Sequence, residues 1–87
     1  MQTSKEYELQ IVNGEPLLIP KEENVRSMIQ LDEISAYLWQ RADKAEEFTI
    51  ETLAGFLQEE YDVDKAIALE DCTEIIETWR EMGITNE

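Results

Sequence analysis

The 87-residue chain carries 21 acidic and 7 basic residues, a net charge of −14, with 43% hydrophobic residues, a mix that suits one small folded domain rather than a disordered segment. With no histidine and a single cysteine, Cys72, it excludes intramolecular disulfides, cysteine metal clusters and every Ser-His or Cys-His nucleophile arrangement. Its charge opposes phosphate backbones and anionic membranes, so no nucleic acid and no membrane is expected as a partner, and a basic or neutral peptide is the better match.

Residues 1–6 lack the basic-then-apolar pattern of a secretory signal, and no apolar run approaches the ~20 residues of a membrane span, which makes the cytoplasm the expected location. Tyr7, Leu9 and Ile11 alternate with Glu8, Gln10 and Val12, the period of a half-buried strand. Asn13-Gly14 follows, a dipeptide that accepts the positive φ angles of a tight hairpin. Leu17, Leu18 and Ile19 form a second strand, with Pro16 at its entry and Pro20 at its exit, where missing N–H groups are tolerated. After a polar loop, Val25 to Leu31 reads as a third strand with Val25, Ser27, Ile29 and Leu31 on one face. Asp32 caps a first helix in which Ile34, Tyr37, Leu38 and Arg41 or Ala42 recur, Trp39 lies on a flank, and Asp43 to Glu47 breaks the apolar period. Thr49 caps a second helix with Ile50, Leu53, Phe56, Leu57 and Tyr61 as its buried stripe. Asp64 caps the last, where Ala68, Leu69, Cys72, Ile75, Ile76, Trp79 and Met82 repeat at helical spacing until Gly83 stops them. Asn86-Glu87 reads as a frayed end. The expected fold class is α+β: a three-stranded antiparallel sheet followed by three helices, in winged helix-turn-helix order. One domain is expected over 1–87, with an N-terminal hairpin and loop at 1–24, an edge strand at 25–31 and a three-helix part at 32–84.

Chemistry has little to stand on. Glu70, Asp71, Glu74, Glu77 and Glu81 lie on the polar side of the last helix, where a solvated face outweighs a metal site. Asp62-Val63-Asp64 opens like a calcium loop but lacks its glycine and its final bidentate acid. No glycine-rich phosphate loop occurs, and Ser35 lacks the neighbours of a phosphopantetheine attachment site. Catalytic residues, metal and cofactor are therefore all expected to be absent. Cys72 on the apolar stripe reads as a small core hydrophobe sooner than as a reactive thiol, whereas Trp79 fits a core residue and a binding anchor equally well.

Three stretches resemble one family. Ile29-Gln30-Leu31-Asp32-Glu33-Ile34-Ser35-Ala36-Tyr37-Leu38-Trp39 is similar to the strand, Leu-Asn, helix, aliphatic-Trp segment of PqqD-like proteins. Phe48-Thr49-Ile50-Glu51-Thr52-Leu53-Ala54 resembles their Thr-Val-x-x-Ile second helix. Glu59-Glu60-Tyr61-Asp62-Val63-Asp64 resembles their Tyr-Asp-Val turn, and Met82-Gly83-Ile84 their closing Gly-aliphatic. Asp32 stands where asparagine is usual, and Ile34-Ser35 replaces a common Thr-Gly.

The resemblance implies a recognition element (RRE) of ribosomally made, post-translationally modified peptides (RiPPs). Such a domain captures the leader of a precursor peptide and presents it to a leader protease, a cyclase or a radical SAM enzyme. In that family the leader pairs with the third strand and lies against the last helix. The implied peptide-binding residues are Val25, Arg26, Ser27, Met28 and Ile29 from the strand. From the helix they are Lys65, Ala68, Leu69, Asp71, Cys72, Glu74, Ile75, Ile76 and Trp79, some of which must be core. Arg26, the strand's one positive charge, is placed to meet an acidic leader residue. An uncovered third strand can also pair with its own copy as a homodimer when no peptide is present. The stand-alone length leans toward a lasso peptide pathway. The alternatives are a winged-helix DNA binder, which the acidic last helix opposes, and a protein-scaffolding domain.

Overall fold

A computed structural model describes residues 1–22 and 28–86. In chain order it holds β1 (Gln2–Thr3), β2 (Tyr7–Val12), β3 (Glu15–Pro20), β4 (Ile29–Gln30), α1 (Glu33–Ala45), α2 (Ile50–Glu60), α3 (Lys65–Met82) and β5 (Thr85–Asn86). Local chemistry explains most of the boundaries. Asn13 and Gly14 turn the β2–β3 hairpin at φ 54° and 81°, setting Leu9 opposite Leu18. Each helix starts on the expected cap: Asp32 accepts from the Ser35 N–H at 2.7 Å, Thr49 from Thr52 at 3.1 Å, and Asp64 from Ile67 at 2.9 Å. Gly83 closes α3 in the left-handed region at φ 76°, where a side chain would be strained.

The antiparallel sheet runs β2-β3-β4, and the three helices pack beneath it in the expected α+β order. Leu18 from the sheet, Leu38 and Trp39 from α1, Leu53 from α2, and Cys72, Ile76 and Trp79 from α3 are fully enclosed. Burial of a large apolar side chain contributes roughly 1.5–3 kcal/mol, so these residues carry most of the fold.

Several local expectations change. Trp39 is core rather than flank, 1% exposed, because its indole N–H turns inward to donate to the Ile84 carbonyl at 3.3 Å. Ile34 leaves the buried face of α1, and Ile11 lies on the outside of the hairpin arm, 66% exposed. Helix α1 runs through Asp43 and Lys44 to Ala45: Ala42 is fully buried, Asp43 is half-buried against Thr3, and Lys44 and Ala45 reach the surface. Asn86 is not frayed. It pairs with Gln2, and Thr85 with Thr3, in a second, two-stranded sheet that periodicity could not reveal, because two-residue strands have none. Thr3 anchors it by donating from its hydroxyl to Asp43 at 2.6 Å. The third strand of the main sheet was expected from Val25. Val25, Arg26 and Ser27 lie outside the described residues, and within them β4 covers Ile29 and Gln30.

Candidate functional site

Strand β4 bonds to β3 on one side and, among the described residues, to no strand on the other. Its backbone orientation follows from the ladder. The Leu31 N–H donates inward to Pro16 at 3.1 Å, and backbone groups alternate sides along a strand. The N–H and C=O of Gln30, opposite Leu17, therefore point toward the open side.

That side looks onto α3. Between them runs a groove made of two adjoining depressions. One, of about 270 Å³, lies beside the strand: Gln30 and Leu31 form one wall, Thr78 and Met82 the other, and Trp79 the floor. The second, of about 290 Å³, continues past the start of α1 to Leu57, Tyr61 and Val63, with Asp71 on its α3 side. Asp32, Ser35, Glu74 and Ile75 border both, so the groove narrows to a shared waist there.

Helix α3 thus divides its residues between two stripes. Ala68, Cys72, Ile76 and Trp79 are buried in the core, at spacings of four, four and three that keep them on one face. Asp71, Glu74, Ile75, Thr78 and Met82 sit a partial turn round and line the groove. Of the residues implied by the family resemblance, Asp71, Glu74 and Ile75 come together here. Trp79 is 1% exposed, which makes it the groove's floor and a core residue at once. Ala68, Cys72 and Ile76 are fully covered, because their face packs on the rest of the protein; they do not line the groove. Leu69 and Lys65 border neither depression. Ile29 is half-buried and Met28 is 62% exposed at the approach to β4. Sequence reasoning missed Gln30, Leu31, Ser35, Tyr61 and Val63 as groove residues and saw Asp32 only as a cap. The Asp32 and Ser35 side chains stand at the mouth of the groove because they begin α1 right after the edge strand.

The groove's far end is braced from behind. Arg41 stacks over the Phe56 ring at 4.2 Å, donates to the Tyr37 hydroxyl at 2.8 Å and to Glu59 at 3.0 Å. Tyr37 in turn meets Tyr61 edge-on at 6.1 Å between ring centroids, which fixes the ring that closes the second depression. Desolvation, with Glu33 and Glu60 adding, holds the Tyr61 hydroxyl above its ordinary value. Burial, reinforced by Asp71, pushes the Cys72 thiol up to about 11. A thiol held neutral in the core is not a nucleophile at physiological pH.

Among the described residues, no group of three or more His, Cys, Asp or Glu is placed to hold a metal ion. Among the same residues no helix is long and apolar enough to cross a membrane. The charges along α3 are Lys65 and Arg80 against Glu70, Asp71, Glu74, Glu77 and Glu81, the opposite of a DNA-recognition helix.

Residues 18–84 match the family described as PqqD, coenzyme PQQ synthesis protein D. No curated protein matches the chain. Two solved structures share its fold. One is described as TbiB1 in complex with the TbiA(beta) leader peptide, at 15% identity and TM-score 0.77, covering 97% of this chain and 93% of the other. The second is a lasso peptide synthetase B1 complexed with the leader peptide, at 20% identity and TM-score 0.75, covering 99% and 96%.

Proposed function

The chain belongs to the PqqD family, and from that premise we propose that it is a peptide-capture module of RiPP biosynthesis, binding the leader segment of a precursor peptide. The observation that carries this reading is the open edge of β4 facing the α3 groove. An extended peptide completes the ladder through the outward groups of Gln30, while its side chains enter the depressions between strand and helix. Backbone bonds supply affinity for any extended chain; the two depressions supply selection among sequences. The structures of similar fold, a TbiB1–leader complex and a lasso synthetase B1–leader complex, support this reading and favour a lasso peptide pathway.

In this reading residues 1–87 act as one recognition domain without catalytic residues of its own. It works in the cytoplasm, where ribosomal precursors are made, and hands its cargo to a leader protease, cyclase or radical SAM enzyme. With no peptide bound, the same strand edge offers a surface for a second copy.

The test is calorimetric titration with synthetic leaders from precursor genes that neighbour this one, against the native chain and Gln30→Pro. Proline removes one outward N–H at an edge position, where it is tolerated, and leaves the bonds to β3 in place. Micromolar or tighter binding that drops about five- to 150-fold in the proline variant is expected, since a lost ladder bond in a desolvated groove costs roughly 1–3 kcal/mol. Saturable binding unaffected by the proline would place the peptide elsewhere on the molecule, and no binding by any leader would end the proposal.

A further inference from the structure

Two of the groove's carboxylates sit at its waist and a third lies beside it, which bears on what fills the groove. Asp32 and Glu74 border both depressions and Asp71 borders the second; no lysine or arginine is among the described residues that line either. On either side of the waist the lining is largely apolar: Leu31 and Met82 over the Trp79 floor beside the strand, with Gln30 and Thr78 the polar members, and Leu57 and Val63 with Tyr61 beyond it. The molecule's net charge of −14 deepens the negative potential there rather than offsetting it.

We propose that the groove selects an extended peptide bearing a lysine or arginine flanked on both sides by apolar residues, the cation seated between Asp32, Asp71 and Glu74. The proposal rests on the peptide-capture reading and adds to it the chemistry of the peptide. A long basic side chain suits the site, because its methylene stem lies on Ile75 while its charged head reaches the rim carboxylates. An acidic side chain at the same place would face three like charges with no described cation beside them. Spacing sets the pattern. From Asp71 to Thr78 the helix rises about 10 Å, the reach of roughly three extended residues. The two apolar anchors and the base therefore fall within a stretch of about five residues.

The experiment is selection from a random twelve-residue peptide library displayed on phage, with the whole 87-residue chain as bait, followed by calorimetry of synthetic winners. The expected result is enrichment of apolar-basic-apolar segments of that length. Paired peptides with the base replaced by glutamate should bind the native chain at least about tenfold more weakly. Asp71→Lys with Glu74→Lys should invert that preference, each exposed ion pair being worth roughly two- to fivefold. Both positions are exposed on α3, so the double variant keeps its fold, which circular dichroism checks. Peptides that bind with no preference for a base, or whose preference survives the charge reversal, would overturn the inference while leaving peptide capture standing. Failure to enrich any peptide would overturn capture and the inference together.

Discussion

Cys72 shows how one side chain's surroundings settle its role. Its thiol is fully covered, and burial with the nearby Asp71 charge lifts it to about 11 from an ordinary value of 9.0. The fold thus favours the protonated form. Its contribution is fully present below pH 9 and is lost as the pH rises toward 11, because the unfolded chain releases that proton first. Urea titrations should show stability falling across that window, and Cys72→Ala should flatten the fall. Iodoacetamide at pH 8 should modify the thiol quickly in urea and slowly in the native state; rapid native labelling would contradict the buried placement. That Cys72 is core was legible from its place on the apolar stripe. That Trp79 serves core and groove together was not, since periodicity tells which face a residue is on but not where that face ends.

At the scale of the element, α3 is a helix with two jobs on adjacent stripes. Neighbours in sequence fall on different ones, which gives a clean contrast. Ile76 is fully buried and Ile75 half-buried at the groove. Truncating Ile76 to alanine should cost about 2–4 kcal/mol of stability, leaving affinity for a leader unchanged at temperatures where the variant is folded. Ile75→Ala should act mainly on binding, weakening the leader roughly three- to tenfold by removing apolar surface from the waist, at a smaller cost in melting temperature than Ile76→Ala because Ile75 is only partly buried against the core. Thermal melts and calorimetry on the pair check the division; equal effects on both measures would erase it. Element starts and stops were readable, because Asp32, Thr49, Asp64, Asn13-Gly14 and Gly83 act through bonds to residues a few positions away. The apportioning of the seven residues on the apolar stripe of α3 was not, because a stripe wide enough for a core also covers a groove, and only the packed partners distinguish them.

At the scale of the whole molecule, the two ends of the chain are tied together over the helices. The Ser4 N–H donates to Ile84 at 2.9 Å, the Phe48 N–H to Met1 at 2.9 Å, and the Thr85 hydroxyl to Gln2 at 2.9 Å, beside the bond from Thr3 to Asp43. Removing residues 1–4 should cost about 2–6 kcal/mol in urea denaturation, at roughly 0.5–1.5 kcal/mol for each of the four hydrogen bonds lost. An unchanged midpoint would show the clip to be ornamental. Nothing in local sequence announces this closure: its contacts join positions forty or more residues apart, and each of its strands is two residues long. The sheet and helix order was legible because each element declares itself by its own period.

Leader capture by this fold depends on where an extended peptide lies. Isotope-edited NMR of the labelled chain with an unlabelled leader peptide measures that directly. Cross-strand contacts from the peptide backbone to Ile29 and Gln30, with side-chain contacts to Ile75, Thr78 and Met82, are the predicted result. Contacts confined to the outer edge of the β2–β3 hairpin, at Ile11 and Val12, would contradict it.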